Sequence, residues 1–185
     1  MHSFERFSLR RDVHLMPLES TCAERMCNWM TDPEVATNIG LRAEPSLQKT
    51  HEWIVKAAQD PCIRPFAVYV KDAHVGNVVL DQIDTYLSKA RLSIYIGEPS
   101  ARGGGVGAMA TFLILKFAFE ELSMYKVWAT VHARNDRAIK NCLRFGFQVE
   151  GILRGEFLLS GRRVSSLYMS TLADEFAALT VNWGW

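Results

Sequence analysis

The sequence predicts a single mixed α/β domain built on one largely antiparallel sheet with a parallel crossover. Three observations lead there. Phe66 to Val70 and His74 to Leu80 are apolar runs joined only by Lys71-Asp72-Ala73, a connection that suits an antiparallel hairpin. The alternating run Leu92 to Ile96 leads through Ser100-Ala-Arg-Gly-Gly-Gly-Val-Gly-Ala-Met-Ala110 into a long apolar helix. Another strand-like run, Val127 to His132, follows that helix, so strand, helix and strand form a parallel crossover. At 185 residues the chain is long enough for one sizeable core and short for two, so residues 1–185 are expected to form one domain.

In chain order, Val13 to Leu18 reads as a short strand, with Pro17 marking an edge or an end. Ser20 or Thr21 is expected to cap a helix carrying Met26, Trp29 and Met30 on one face and stopping near Asp32-Pro33. Asn38 to Pro45 reads as a loop, a candidate lid or substrate wall. A second helix starts at Ser46, with Leu47, Trp53, Ile54 and Ala57 or Ala58 at helical spacing, and Asp60-Pro61 closes it. After the hairpin, a loop at Asp84 to Lys89 precedes Leu92 to Ile96. The helix from Val106 to about Leu122 is apolar around most of its circumference and must be largely buried. Asn135 can cap a helix over Asp136 to Phe145 that ends at Gly146 in the left-handed region. Phe147 to Leu153, Glu156 to Leu159, a turn at Ser160-Gly161 and Ser166 to Met169 complete a β-rich end.

A formal net charge of +1 argues against a large electrostatic footprint for nucleic acid or an anionic membrane. Cys22, Cys27, Cys62 and Cys142 show neither CxxC spacing nor nearby histidine ligands, so no metal site or disulfide framework is expected and a reduced cytoplasmic setting fits best. Met1-His-Ser-Phe-Glu-Arg6 carries charges where a signal peptide needs an apolar core, and the longest apolar run is too short to span a bilayer.

The glycine stretch carries the chemistry. Glycines tolerate positive φ and close approach, and a loop opening into a helix gathers unpaired N–H groups and the positive end of a dipole at one point, which favours phosphate. Gly103-Gly-Gly-Val-Gly-Ala108 satisfies the GxGxxA form of a dinucleotide fingerprint. That site also needs an acid at the end of the following strand, and the sequence there is Val131-His-Ala-Arg134. A more extensive likeness covers Val13 to Leu172. Arg102-Gly-Gly-Gly-Val-Gly107 resembles the Arg/Gln-x-x-Gly-x-Gly/Ala loop of the GNAT acetyltransferase superfamily, and Asn135-Asp-Arg-Ala-Ile to Gly146-Phe147 resembles its second signature. Glu150 to Phe157 with Ser160-Gly-Arg162 is similar to the branch with ribosomal-protein, spermidine and nucleotide-sugar N-acetyltransferases.

The resemblance implies a central parallel pair of strands that splays apart, and acetyl-CoA as cosubstrate. Its pyrophosphate would meet the loop amides of Arg102, Gly103, Gly104, Gly105, Val106, Gly107 and Ala108. Its pantetheine would pair with backbone groups near Ile94, Tyr95 and Ile96, one of which stabilises the oxyanion. Asn135 would reach pantetheine or water, while Lys140 and Arg144, four apart on one helical face, would meet the adenosine phosphates. Each residue also has a plain alternative: Asn135 as an N-cap, Lys140 and Arg144 as a solvated face.

The family commonly uses a glutamate on the central strand as base and a tyrosine in the second signature as acid; here Arg91 and Cys142 stand at those places. Cys142 is a candidate acid, since an ordinary thiol matches the leaving thiol, or else a small buried residue. Asp81 and Asp84 are candidates to attract the substrate ammonium or relay its proton, and His132 has the ring chemistry of a base. The expectation is therefore direct acetyl transfer to a small-molecule primary amine, best read as a nucleotide-linked amino sugar from the segment Trp29 to Trp53. Alternatives are a ribosomal-protein or peptide N-terminus, or a non-catalytic acetyl-CoA-binding module. Near-zero charge disfavours a polyamine, and Ser165 stands where this branch often carries an acid. No nucleic-acid or membrane partner is expected, and the chain is read as a monomer or homodimer.

Overall fold

The computed structural model describes residues 12–159 and 161–181. The expectations for Met1 to Arg6 and for Ser160 lie outside them. One sheet of seven strands runs in the order β1 (Val13–Pro17), β2 (Arg64–Val70), β3 (Ala73–Asp84), β4 (Lys89–Ile96), β5 (Lys126–His132), β7 (Arg162–Leu172) and β6 (Gln148–Leu159). Every neighbouring pair is antiparallel except β4 and β5. The mixed sheet with one parallel crossover is thus as the sequence predicts.

Strand alternation gives the sheet two differently covered faces. Val68, Val78, Leu80, Ala90, Leu92, Val127 and Met169 join a core with α4 (Val106–Lys116), and Cys142 of α5 (Asp136–Arg144) and Phe176 of α6 (Ala173–Val181) belong to it. Ala67, next to Val68, belongs to a second cluster with Met26 of α1 (Ala23–Met30) and Ile54 of α3 (Leu47–Gln59). Hence Asn77, Val79, Asp81, Arg91, Ser93 and Tyr95, out of phase with the α4-facing residues, lie on the α1/α3 side.

Local chemistry accounts for most helix ends. Ser46 Oγ accepts from Lys49 N–H, and Thr50, Ile54 and Ala57 are the buried stripe of α3. Asn135 Oδ1 accepts from Ala138 N–H at 3.0 Å, and Gly146 closes α5 with φ 78°. The helix expected to Leu122 is α-helical to Lys116 and continues as a π-helical turn over Phe117–Glu121.

Four expectations need correction. Neither Ser20 nor Thr21 caps α1: Ser20–Cys22 form a 3₁₀ turn whose flanking residue is Glu19, with no side-chain cap. Asp32-Pro33 ends one helix but also begins another, α2 (Pro33–Asn38), with Asp32 Oδ1 accepting from Glu34 N–H at 2.8 Å. The two terminal runs after Phe147 are one strand, β6, whose pairing is interrupted between Leu153 and Phe157. Finally, α6 follows β7 with acids in its first turn, where they suit the helix dipole.

Candidate functional site

The parallel pair sets the geometry of the site. β4 and β5 pair only through Lys89 and Lys126, Ala90 and Val127, and Arg91 and Trp128. Beyond that point they part. On its other side β4 stays paired with β3 as far as Ile96, and Gly97 N–H donates to Val75 O at 2.9 Å. That bond puts the odd-numbered residues of β4 into hydrogen-bonded pairs with β3, so the amide groups of Leu92, Ile94 and Ile96 are turned to the β5 side. Arg102 confirms the direction by donating from Nε to Ile96 O at 3.0 Å.

The gap joins two cavities. One, of about 480 Å³, is lined by Gly103, Gly105, Gly107 and Ala108, by Ile94 to Ile96, and by Asn135, Arg137, Lys140 and Arg144. Gly103 and Gly105 have φ of 84° and 81°, and Gly105 is the residue that opens α4. A Cβ at Gly103 would meet nothing within 4 Å, so the loop is open to a ligand on that side. The first-turn amides of α4 have no intrahelical partner and, with the helix dipole, form an anion cradle. Gly104 does not line this cavity, and Val106 is turned into the core at 1% exposure.

Arg102 lines the cavity, but its guanidinium is already engaged. It holds Asp32 at 2.7 Å and Glu34 at 3.1 Å and also donates to Gly97 O at 2.8 Å. The arginine therefore braces α2 against the end of β4, and it holds the Asp32 carboxyl below its ordinary range, helped by the backbone N–H of Glu34. Asn135 Nδ2 donates to Asn38 Oδ1 at 2.9 Å, so α2 is tied to both walls of the gap.

The other cavity, of about 600 Å³, runs from the gap to a mouth formed by Ile39, Leu41, Glu44, Lys49 and Trp53. Asp81, Arg91, Ser93, His132, Asn141 and Cys142 line its interior. Both Asp81 oxygens receive the Arg91 guanidinium at 2.6 Å. Arg91, raised further in pKa by that carboxylate, lies 5.9 Å from the Trp128 ring centroid. Tyr95 Oη accepts from Asn77 Nδ2 at 2.7 Å, and Asn77 Oδ1 is 3.0 Å from His74 Nε2. Burial pushes the Tyr95 phenol up and the His74 imidazole down.

The catalytic candidates fare unequally. Asp84 lines neither cavity; its Oδ1 accepts from Leu87 N–H at 2.9 Å and shapes the β3–β4 turn. Asp81 is in the cleft but committed to Arg91. Burial pushes the Cys142 thiol up to about 12, which removes its match to a leaving thiol. His132 borders the cleft, yet its Nδ1 accepts Arg134 N–H at 3.0 Å and its Nε2 is buried, so neither ring nitrogen faces the amine as a base. Sequence reasoning missed Arg137, whose place one turn before Lys140 on α5 is readable from helical spacing, and it missed Asn38 and Asn77, which carry no local signal. Among the described residues no group of His, Cys, Asp and Glu is placed to hold a metal, the four cysteines are unpaired, and no helix is long and apolar enough to cross a membrane.

Comparison with known proteins agrees with this architecture. The family described as "Acetyltransferase (GNAT) domain" matches residues 12–148. The chain is 29% identical over 123 residues to a spermidine N(1)-acetyltransferase of Escherichia coli, a match spanning 66% of each chain. It is 25% identical over 179 residues to an uncharacterized N-acetyltransferase, p20, of Bacillus licheniformis, covering 94% of this chain and 96% of that one. The crystal structure of spermidine N-acetyltransferase from Vibrio cholerae in complex with CoA and spermine superposes with a TM-score of 0.86 at 23% identity, covering 91% of this chain and 99% of that one. Two of these three relatives carry spermidine in their names, where the sequence reading favoured the nucleotide-sugar members of the branch. With a matching family profile over most of its length and the splayed strands that its signatures imply, this chain belongs to the GNAT family of acetyl-CoA-dependent N-acetyltransferases.

Proposed function

We propose that the chain transfers acetyl from acetyl-CoA to a primary amine carried on a largely uncharged, apolar body. The observation that carries the reading is the parting of β4 and β5 beyond Arg91 and Trp128, which joins the glycine-loop cavity to the apolar-mouthed one. The amides at Gly103 to Ala108 take the pyrophosphate. Arg137, Lys140 and Arg144 lie along one side of the same cavity for the adenosine phosphates. The Ile94 N–H, turned into the gap, is the donor for the oxyanion.

The acceptor arrives through the mouth at Ile39, Leu41 and Trp53. With Asp81 held by Arg91 and both ring nitrogens of His132 turned away from the cleft, the amine must enter already neutral, and proximity with oxyanion stabilisation drives the reaction. Its rate should therefore climb about tenfold per pH unit below the amine's own pKa. The lining carboxylates Glu44 and Asp81 are matched by Lys49 and Arg91, so the cleft has no excess negative charge for a polyamine. A nucleotide-linked amino sugar would bring a second diphosphate, for which Lys49 is the one lining cation outside the Arg91 pair at this end. A polyamine remains the second reading, favoured by the names of the relatives and by Glu44 at the mouth.

Thiol release from acetyl-CoA, followed with 2-phenylethylamine, a peptide with a free N-terminus, spermidine and a nucleotide-linked amino sugar, tests the proposal. Turnover is expected first with the two apolar-bodied amines. CoA binding without turnover on any amine would support a non-catalytic binding module and overturn the transferase reading.

A further inference from the structure

The two cavities share one stretch of wall. Asn38, Ile94, Tyr95, Asn135, Ala138 and Asn141 line both, so they border the junction at which acetyl thioester and incoming amine meet. Among the polar side chains there, three have their acceptors engaged. Asn135 Oδ1 accepts from Ala138 N–H, Asn38 Oδ1 from Asn135 Nδ2, and Tyr95 Oη from Asn77 Nδ2. Among the described residues Asn141 differs, because its oxygen receives no donor.

The Asn141 amide is held in one orientation. Thr111, 1% exposed, directs its single hydroxyl proton to Gly107 O at 2.8 Å, so its Oγ1 accepts from Asn141 Nδ2, also at 2.8 Å. That bond turns the nitrogen toward α4 and leaves Oδ1 unpaired. The oxygen is not sealed in the interior, since the side chain is half-buried and forms wall in both cavities.

A carbonyl oxygen at this place matches what attack by an amine requires. The nitrogen lone pair forms the C–N bond, the thioester carbonyl pair moves onto its oxygen against Ile94 N–H, and the nitrogen, still holding its protons, becomes positive. An acceptor on one of those N–H groups aims the lone pair at the carbon and binds more strongly as the charge develops. Collapse then breaks the C–S bond, and the proton lost by nitrogen ends on the departing CoA sulfur. The carboxamide takes no proton itself, in keeping with an amine that enters neutral.

From this we infer that Asn141 Oδ1 is the acceptor that orients the attacking amine, a catalytic contact made from α5 and acting with the Ile94 donor of β4. The inference rests on the proposed transferase reading. Thiol release with 2-phenylethylamine, followed against pH in the wild type, Asn141→Leu and Asn141→Asp, tests it, with acetyl-CoA affinity measured for each by calorimetry. Asn141→Leu, similar in size but without an acceptor, should lower kcat roughly ten- to a hundredfold while KM for the amine and acetyl-CoA affinity stay within about twofold. Asn141→Asp places a carboxylate where it can take the proton of a bound ammonium, so the rise of kcat/KM with pH should flatten from about tenfold per unit. An asparagine with only a structural role would not become a base on this change. Three results would overturn the role: a kcat within about twofold of wild type in Asn141→Leu, a fall in kcat matched by lost acetyl-CoA affinity in both variants, or an unchanged pH slope in Asn141→Asp. A wild type that binds acetyl-CoA but releases thiol with no amine would overturn the transferase reading and the Asn141 role with it, whereas wild-type turnover indifferent to Asn141→Leu would overturn the role alone.

Discussion

The glycine-loop end of the cleft and the acceptor end are built from different material. At the first, the working groups are backbone amides: the left-handed glycines Gly103 and Gly105, the first turn of α4 and the outward edge of β4. At the second they are side chains that already satisfy one another, Asp81 with Arg91 and Tyr95 with Asn77. A backbone site is specified by what local residues permit, and it presents the same donors to any phosphate. A side-chain site depends on partners distant in the chain, and a single substitution can change what it accepts.

The largest effect is expected from Gly105→Asp. A side chain at φ 81° costs about 1–2 kcal/mol, and a carboxylate in the anion cradle adds repulsion of similar size or larger. CoA affinity should fall by at least roughly a hundredfold by calorimetry; an affinity unchanged would remove the loop from the account. Asp81→Asn comes next. It deprives the half-buried Arg91 of its counter-charge, and with both side chains partly exposed the loss should be about 1–2 kcal/mol, seen as a lowered urea midpoint. On the proposed reading, in which Asp81 is paired with Arg91 and takes no proton from the amine, the slope of rate against pH should survive this change. Should the slope disappear, the acceptor end holds the catalytic carboxylate after all.

Asn135→Ala removes both the α5 cap and the tie to Asn38, for about 1 kcal/mol of stability and a weaker hold on α2. Cys142→Ala is the smallest: turnover within about twofold of wild type, since a thiol held near 12 contributes little as an acid.

Acid should act in two stages. His74 has a folded pKa pushed below its ordinary 6.5 by burial, so the unfolded chain binds protons first and stability declines as pH falls from 6.5 toward the lower folded value. Asp32 is held low by Arg102, and Glu150 by Lys126 and then Ser170. Their contribution is full above the ordinary carboxylate range and lost as pH falls through their lower folded values. A thermal-midpoint profile should therefore show one decline below about pH 6.5 and another below about pH 4, and Arg102→Ala should flatten the second.

The same division decides what the sequence disclosed. The glycine loop, the Asn135 cap and the Gly146 stop depend on conformational preferences of residues a few places apart, and each was legible. Asp32-Pro33 shows the limit, because an acid followed by proline ends a helix or begins one with equal local sense, and only the structure distinguishes α2 from a loop. The bracing role of Arg102 depends on Asp32 and Glu34, some 70 residues away, and the pairing of Asp81 with Arg91 depends on strand register. The pKa rise of Cys142 comes from burial under α4 and the sheet, so its residue type alone pointed to a chemistry that its surroundings remove.

The most direct test of the account is a crystal structure of this chain with acetyl-CoA. The pyrophosphate should lie against the amides of Gly103 to Ala108, and the thioester oxygen should accept from Ile94 N–H in the gap beyond Arg91 and Trp128. A pantetheine arm lying outside that gap, or a pyrophosphate away from the glycine loop, would contradict it.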